Sequence, residues 1–307
     1  MNAHPRFSVV IAAFNAAGTV SSAVRSVLTQ TNPDLEVIVV DDGSTDGTDD
    51  VVRRIDDPRV RYLSQPNRGP AAARNAGIEQ ARGKYVAFLD SDDLYLPSFL
   101  ERGERALKET PGAGFAYTDA YVFDAVSGKV RRRSAMDRNR PPVPPPADRE
   151  AFLLELLRRN FVYVAVIVPS TVLERVGGFE ESLKGPEDYE LWLRILTRGY
   201  RAAWISGRQA LYRKHAAQLS GNVVTMTRSL CAVYEGLRME ELPGPEHREL
   251  LVRRRRETRH ELRLQSRFGG LLPLGLVSRL KRAGIGESWY DSPPADIAAA
   301  FPDLTAV

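Results

Sequence analysis

Apolar, β-branched runs alternate with helix-period patterns over residues 7–90. Phe7–Ala13 reads as a buried strand and Val20–Gln30 as a helix; Leu35–Val40 reads as a second strand, followed by a helix over Thr48–Arg54. A short strand over Val60–Leu63, a helix over Ala71–Ala81 and a strand over Tyr85–Leu89 complete the series. Strands alternating with helices predict an α/β fold with a mostly parallel, Rossmann-like central sheet covered by helices. Ligands of such sheets sit beyond the carboxyl ends of the strands, where the strand order reverses.

The second half is less regular. Helices are predicted over Glu101–Glu109, Arg149–Asn160 and Glu190–Arg198, and strands over Gly114–Phe123, Phe161–Val168 and Ala202–Ile205. Residues 131–146 are rich in Arg and Pro, a composition that favours an extended segment. From Val223 to about Leu280 the pattern is helical and basic, broken at Pro243, Pro245 and near Gly269. The expected organisation is a main domain over 1–222, in two halves that meet at residues 110 and 111, then a basic helical extension over 223–307.

Composition narrows the class. The chain has 43 Lys and Arg against 39 Asp and Glu, 43% hydrophobic residues and a single cysteine, Cys231. These proportions exclude collagen-like, disulfide-stapled and wholly disordered chains, and four histidines with one cysteine make no structural zinc cluster. The longest apolar run, Phe161–Val168, is far short of a membrane span, and no secretory signal is evident, so a cytoplasmic protein is expected. Charge is uneven. Residues 1–100 carry 10 basic and 13 acidic side chains, whereas 225–290 carry 13 and 8.

The acids gather where chemistry is expected. The second strand runs into Asp41-Asp42-Gly-Ser-Thr-Asp46 and the fourth into Asp90-Ser-Asp92-Asp93. Taken singly, each cluster is good turn or capping chemistry. Together they are expected to face one another across the crevice, where repulsion is relieved by Mg²⁺ or Mn²⁺ and a diphosphate. Between them, Gly69-Pro70 opens an Ala-rich helix whose Arg74 and Asn75 are either solvated or reach toward a ligand. Further on, Glu187-Asp188 opens a helix, and on the residues alone these acids are explained by the helix dipole.

Ser8-Val-Val-Ile-Ala-Ala-Phe-Asn15, Val39-Val-Asp-Asp-Gly-Ser44, Asn67-Arg-Gly with Ala73-Arg-Asn-Ala-Gly77, and Phe88-Leu-Asp-Ser-Asp-Asp93 follow one another within about ninety residues. This succession resembles the family 2 glycosyltransferases, closely over 7–110 and more weakly over 161–220. The resemblance implies the GT-A fold and inverting transfer from a nucleotide-diphospho-sugar, most often a UDP-sugar. It implies that Ala13 and Phe14 line the nucleobase pocket, Asp42 accepts from the base, and Arg74 contacts the nucleotide. It places Asp90 near the ribose and Asp92 on Mn²⁺ or Mg²⁺. It also turns Gly-Pro-Glu187-Asp188 into an acceptor-side motif, with Asp188 as general base and Glu187 supporting it or touching the acceptor. In Tyr212-Arg213-Lys214-His215 it implies Arg213 on the diphosphate and His215 on metal or phosphate. Asp119, after the strand at 114–118, is a further candidate for the acceptor.

Trp192 is a candidate for the acceptor site, although its spacing with Leu191 and Ile195 favours the core. Arg255, Arg259, Arg263 and Arg267 recur every fourth residue, which fits a solvated face or, with Phe268-Gly-Gly-Leu-Leu-Pro-Leu, a patch for anionic lipid at the inner face of a membrane. A carbohydrate or lipid-linked acceptor is expected. Nucleic acid is not, because no stacking aromatics interleave the arginines. Against the transferase stand a sugar nucleotidyltransferase, which would need a Gly-rich loop where Ala13–Gly18 stands, and a catalytically silent sugar-nucleotide binder, which the retained Asp42, Asp90, Asp92 and Asp188 oppose.

Overall fold

The computed structural model describes residues 4–132, 134–136, 145–163, 165–214, 223–268 and 294–301. Its centre is a nine-stranded sheet in the order β3-β2-β1-β4-β8-β6-β9-β5, with β7 paired to β6. The first four strands are β1 (Phe7–Ala13), β2 (Leu35–Asp41), β3 (Val60–Ser64) and β4 (Tyr85–Asp90). The others are β5 (Leu94–Tyr95), β6 (Ala113–Asp124), β7 (Lys129–Val130), β8 (Val166–Pro169) and β9 (Arg201–Lys214). β1 to β4 are mutually parallel, and β6 and β9 run parallel to each other. β8 lies antiparallel to both β4 and β6, so β6 points the same way as β4. Six of the nine strands therefore share one direction.

Helices α1 (Val20–Leu28), α2 (Thr48–Arg53), α3 (Pro70–Gln80) and α4 (Phe99–Glu109) accompany the first half. In the second half come α5 (Arg149–Arg158), α6 (Ser170–Val176), α7 (Glu187–Thr197), α8 (Val223–Gly236), α9 (Pro245–Phe268) and α10 (Ala295–Ala300). β2 is buried along its whole length, as a strand covered on both faces must be, and its sequence is apolar but for Glu36 and the terminal Asp41. α3 approaches β1 closely. Ala71, Ala72 and Ala73 are buried, and a Cβ at Gly77 would lie 2.3 Å from Val10 Cγ1. The small-residue face seen in the sequence is what allows that distance.

Besides the two-residue strands β5 and β7, three elements differ from expectation. Only Val166–Pro169 of the apolar stretch pairs as a strand; Phe161 and Val162 are buried in the core instead. Apolarity there reports burial rather than pairing. β9 extends well past Ile205 to Lys214, crossing register shifts opposite Asp119 of β6, and its polar Arg208 and Gln209 conceal the continuation. α6, hidden in a short stretch after β8, has no counterpart in the expected elements.

The helices after residue 222 share the main core. Val233, Tyr234, Leu237, Leu242, Leu250 and Leu251 belong to the same buried cluster as Phe115, Tyr117 and Trp192. On the far edge, Ile297 of α10 is buried among Leu94, Leu96, Phe123, Val130 and Leu211. No helix among the described residues is long and apolar enough to cross a membrane.

Candidate active site

The strand register sets out the rim. Ala13 of β1 stands opposite Asp41 of β2, and Ala12 opposite Asp90 of β4. The two acidic turns thus flank the end of β1, about 10 Å apart across two strand spacings. Phe14, next along, is 51% exposed, while Ala13 beneath it is buried. Asn15 takes a φ of 49°, a left-handed backbone that asparagine tolerates better than most residues. Its Oδ1 accepts from Thr45 N at 2.9 Å, and Ala17 N donates to Asp46 Oδ2 at 2.9 Å, so the loops after β1 and β2 are stapled together.

The first acidic turn is compensated internally. Asp42 is buried; its Oδ1 accepts from Gln65 Nε2 at 2.7 Å and Arg68 N at 2.9 Å, and its Oδ2 from Gly69 N at 2.7 Å. Asp41 accepts from Ser44 N and from Tyr62 Oη, both at 2.8 Å. Burial and the Asp41 charge push the Tyr62 phenol up to about 12. This corrects the expectation of two bare carboxylate clusters in mutual repulsion, because donors of the chain itself satisfy the first. Asp42 shapes the 65–69 loop.

In the second turn, Asp90, Asp92 and Asp93 each offer a carboxylate oxygen within 4.8 Å of the others. Asp93 accepts from Arg213 N at 2.8 Å, yet burial and the charges of Asp92 and Asp90 push its carboxyl well above the usual range. Arg213 Nε donates to the carbonyl of Asp92 at 2.9 Å, and its guanidinium lies over the Phe123 ring, 5.6 Å from the centroid. Arg213 therefore braces the acidic loop from behind. His215 and the stretch 269–274 lie outside the described residues, as do 133 and 137–144 of the proline-rich segment.

Arg74 departs furthest from expectation. It is 4% exposed, and its fork reaches two acids: Nη2 donates to Asp90 Oδ1 at 2.7 Å and Nη1 to Glu187 Oε1 at 2.8 Å. Burial opposes its charge, but Asp90 and Glu187 outweigh that and raise its pKa. Here its two terminal nitrogens are engaged by protein carboxylates rather than turned outward to a nucleotide, and they tie the end of β4 to the start of α7. Glu187 also accepts from Gly185 N at 2.9 Å and is buried, which ties it into its own turn.

Asp188 follows it, half-buried, with its Oδ1 accepting from Tyr189 N at 2.6 Å. Burial and the adjacent Glu187 charge push its carboxyl up to about 7, against the pull of Arg74. A carboxylate held near neutrality suits proton abstraction at physiological pH. Trp192 is corrected to the core: it is fully buried and packs 5.2 Å from the Phe115 ring. Asp119 accepts from Ala120 N at 2.7 Å and Met136 N at 3.0 Å, anchoring residues 134–136.

Residues whose partners have no signal in the sequence hold this turn. Asn75 is neither solvated nor aimed at a ligand. It clamps the 178–181 loop, donating to Phe179 O at 2.9 Å and Glu181 Oε1 at 3.0 Å and accepting from Phe179 N at 2.7 Å. From α8, Ser229 Oγ accepts from Lys184 N at 3.1 Å, and Tyr234 and Tyr189 share a hydrogen bond between their hydroxyls at 3.3 Å. Gly185 has a φ of 116°, and a Cβ there would lie 2.7 Å from Met226 Cε.

The comparisons with known proteins agree with this layout. The sequence model described as "Glycosyl transferase family 2" matches residues 8–166. The chain is 40% identical over 203 residues to the succinoglycan biosynthesis protein ExoO of Rhizobium meliloti, a match covering 65% of this chain and 58% of that relative, little more than half its length. It is 31% identical over 220 residues to the UDP-Glc:alpha-D-GlcNAc-diphosphoundecaprenol beta-1,3-glucosyltransferase WfaP of Escherichia coli, covering 70% of this chain and 80% of that enzyme. Among solved structures, S. aureus TarS in complex with UDP-GlcNAc superposes with a TM-score of 0.63 at 19% identity, covering 88% of this chain and 76% of that one. The mannosyltransferase PcManGT of Pyrobaculum calidifontis, in complex with GDP-Man and Mn²⁺, gives 0.57 at 18% identity, covering 99% and 85%. The fold is therefore GT-A, and the chain belongs to glycosyl transferase family 2 and is a glycosyltransferase.

Proposed function

We propose that the enzyme transfers a sugar, with inversion, from a nucleotide-diphospho-sugar to a hydroxyl of a carbohydrate or lipid-linked acceptor, with Asp188 as general base. A UDP-sugar is the donor favoured here, supported by the substrates named for WfaP and TarS. The observation that carries the reading is the chain Asp90–Arg74–Glu187, which joins the acidic turn to the helix bearing Asp188. In the proposed step the acceptor oxygen bonds to the anomeric carbon while the bond from that carbon to the diphosphate oxygen breaks. The acceptor proton passes to the Asp188 carboxylate, and the nucleoside diphosphate leaves on the opposite face.

Three clustered carboxyl groups, whose crowding raises Asp93 in the absence of a counter-ion, are a donor set suited to a hard divalent ion. Asp92, with Asp90 and Asp93 beside it, would hold Mn²⁺ or Mg²⁺, which when bound offsets charge on the diphosphate. Phe14, standing exposed beside the stapled loops, is proposed as a wall of the base pocket above Ala13. Asp42 is proposed to act there through the 65–69 loop. Arg213 is proposed to keep the acidic loop in place for the diphosphate.

Titration calorimetry of UDP with and without Mn²⁺, together with a transfer assay, tests these assignments. Asp188→Asn is expected to remove transfer by at least about 100-fold while UDP affinity stays within twofold. Loss of both together would make Asp188 structural. Mn²⁺ is expected to tighten UDP binding in the wild type and not in Asp92→Ala; an equal metal effect in that variant removes Asp92 from the site.

A further inference from the structure

The outward face of α9 belongs to no part of the site just described. At 100° per residue, Pro245, Glu246, Glu249, Val252, Arg253, Arg256, Arg259, His260, Arg263 and Leu264 fall within an arc of about 140°. All ten are exposed, the two acids standing at its amino end, while Leu250, Leu251 and Thr258 on the other side are buried. The arginines divide accordingly. Arg254 donates to Leu157 O and Arg255 to Tyr234 O, at 3.1 and 2.8 Å, and Arg259 is paired with Glu235. Arg253, Arg256 and Arg263 make no hydrogen bond or ion pair with the described residues.

A merely solvated helix face would carry aliphatics inward and pair its charges at i,i+4. Here Glu249 makes no ion pair with Arg253, and Val252 and Leu264 stand 55% and 44% exposed. Large exposed hydrophobics number four among the described residues, and two of them lie on this arc. Its carboxyl end also approaches the base. Gln265 Nε2 donates to Thr227 Oγ1 at 3.0 Å, next to Met226, which packs on Gly185 of the turn leading to Asp188.

We infer that this face docks the enzyme on an anionic lipid surface, with Arg253, Arg256 and Arg263 on headgroup phosphates and Val252 and Leu264 entering the interface. Cations with no partner among the described residues, flanked by aliphatics rather than by stacking aromatics, match a bilayer better than a nucleic acid. The inference gives a purpose to the lipid-linked acceptor proposed above, because docking through α9 holds the Asp188 turn beside the membrane. Its test does not depend on that reading.

The full chain is sedimented with phosphatidylcholine vesicles and with vesicles containing phosphatidylglycerol, at low and high salt, with heparin as a soluble polyanion competitor. The wild type is expected to bind only the anionic vesicles, and less so at high salt. Arg253→Gln/Arg256→Gln/Arg263→Gln is expected to lose about 100-fold, roughly fivefold for each arginine. Val252→Ser/Leu264→Ser is expected to weaken vesicle binding while leaving heparin binding unchanged. Transfer to a water-soluble acceptor should be the same in all of them, so failure of the surface and failure of the chemistry read separately. Retention of the wild type in the supernatant, equal binding to neutral vesicles, or an unaltered triple variant would each overturn the inference; loss of heparin binding without loss of vesicle binding would reassign the face to soluble polyanions.

Discussion

Asp188 carries a cost that its position explains. The carboxyl is pushed up to about 7 by burial and by Glu187, so in the folded enzyme it stays protonated over a range where an unfolded chain, with its carboxyl near 4, has lost the proton. The sign follows by linkage: the folded state binds the extra proton, so this group's contribution favours folding below about pH 4 and is lost as pH rises to 7. Asp188→Asn removes the buried charge and is expected to raise Tm at pH 8 by a few degrees, with little change at pH 4, by scanning calorimetry. In the wild type, kcat/KM is expected to rise with pH and level off above about 7, since the base must be ionised. A profile flat between pH 5 and 8 would take the proton transfer away from Asp188.

Arg74 and Asn75 show how elements are fastened, and how little of that a sequence displays. The helix α3 was legible, from Gly69-Pro70 to its small-residue face, because close packing restricts residue type directly. Where its polar side chains go was not. Arg74 reaches Glu187, 113 residues on, and Asn75 reaches Phe179, and no local pattern encodes a partner at that separation. Arg74→Met is expected to destabilise the fold by about 3 kcal/mol, because it strands the buried Glu187 carboxylate. Urea unfolding measures this, and a change below about 1 kcal/mol would mean that water replaces the guanidinium. On the other side of the same turn, Ser229→Ala is expected to lower kcat several-fold at unchanged UDP affinity, with Ser229→Thr restoring it. Equal losses in both parameters would assign Ser229 to general stability.

At the scale of the whole molecule, the parallel half was readable throughout, and the second half in its elements α5, β6 and α7 but not in how they connect. Strands β1, β2 and β4 are buried almost throughout and announce themselves as largely apolar runs, whereas the edge strand β3 is only half-buried; the strand-end acids stand on either side of β1. The return path through β8, the long β9 and the packing of α8 and α9 depend on contacts between distant segments. That is why a basic extension was expected where the structure has part of the main core. Ending the chain after residue 222 is expected to expose Trp192's surroundings and abolish cooperative unfolding, by circular dichroism melting. A sharp transition near the wild-type Tm would show the first 222 residues to be self-sufficient.

The buried ion pair between α3 and α7 constrains anyone who would redesign this catalyst. Chimeras that graft a foreign second half onto the donor-binding half, to redirect acceptor choice, must bring a carboxylate to meet Arg74 or replace both partners at once. A splice that ignores it leaves one unanswered charge in the interior, and such hybrids would fail at the seam before their specificity could be assayed.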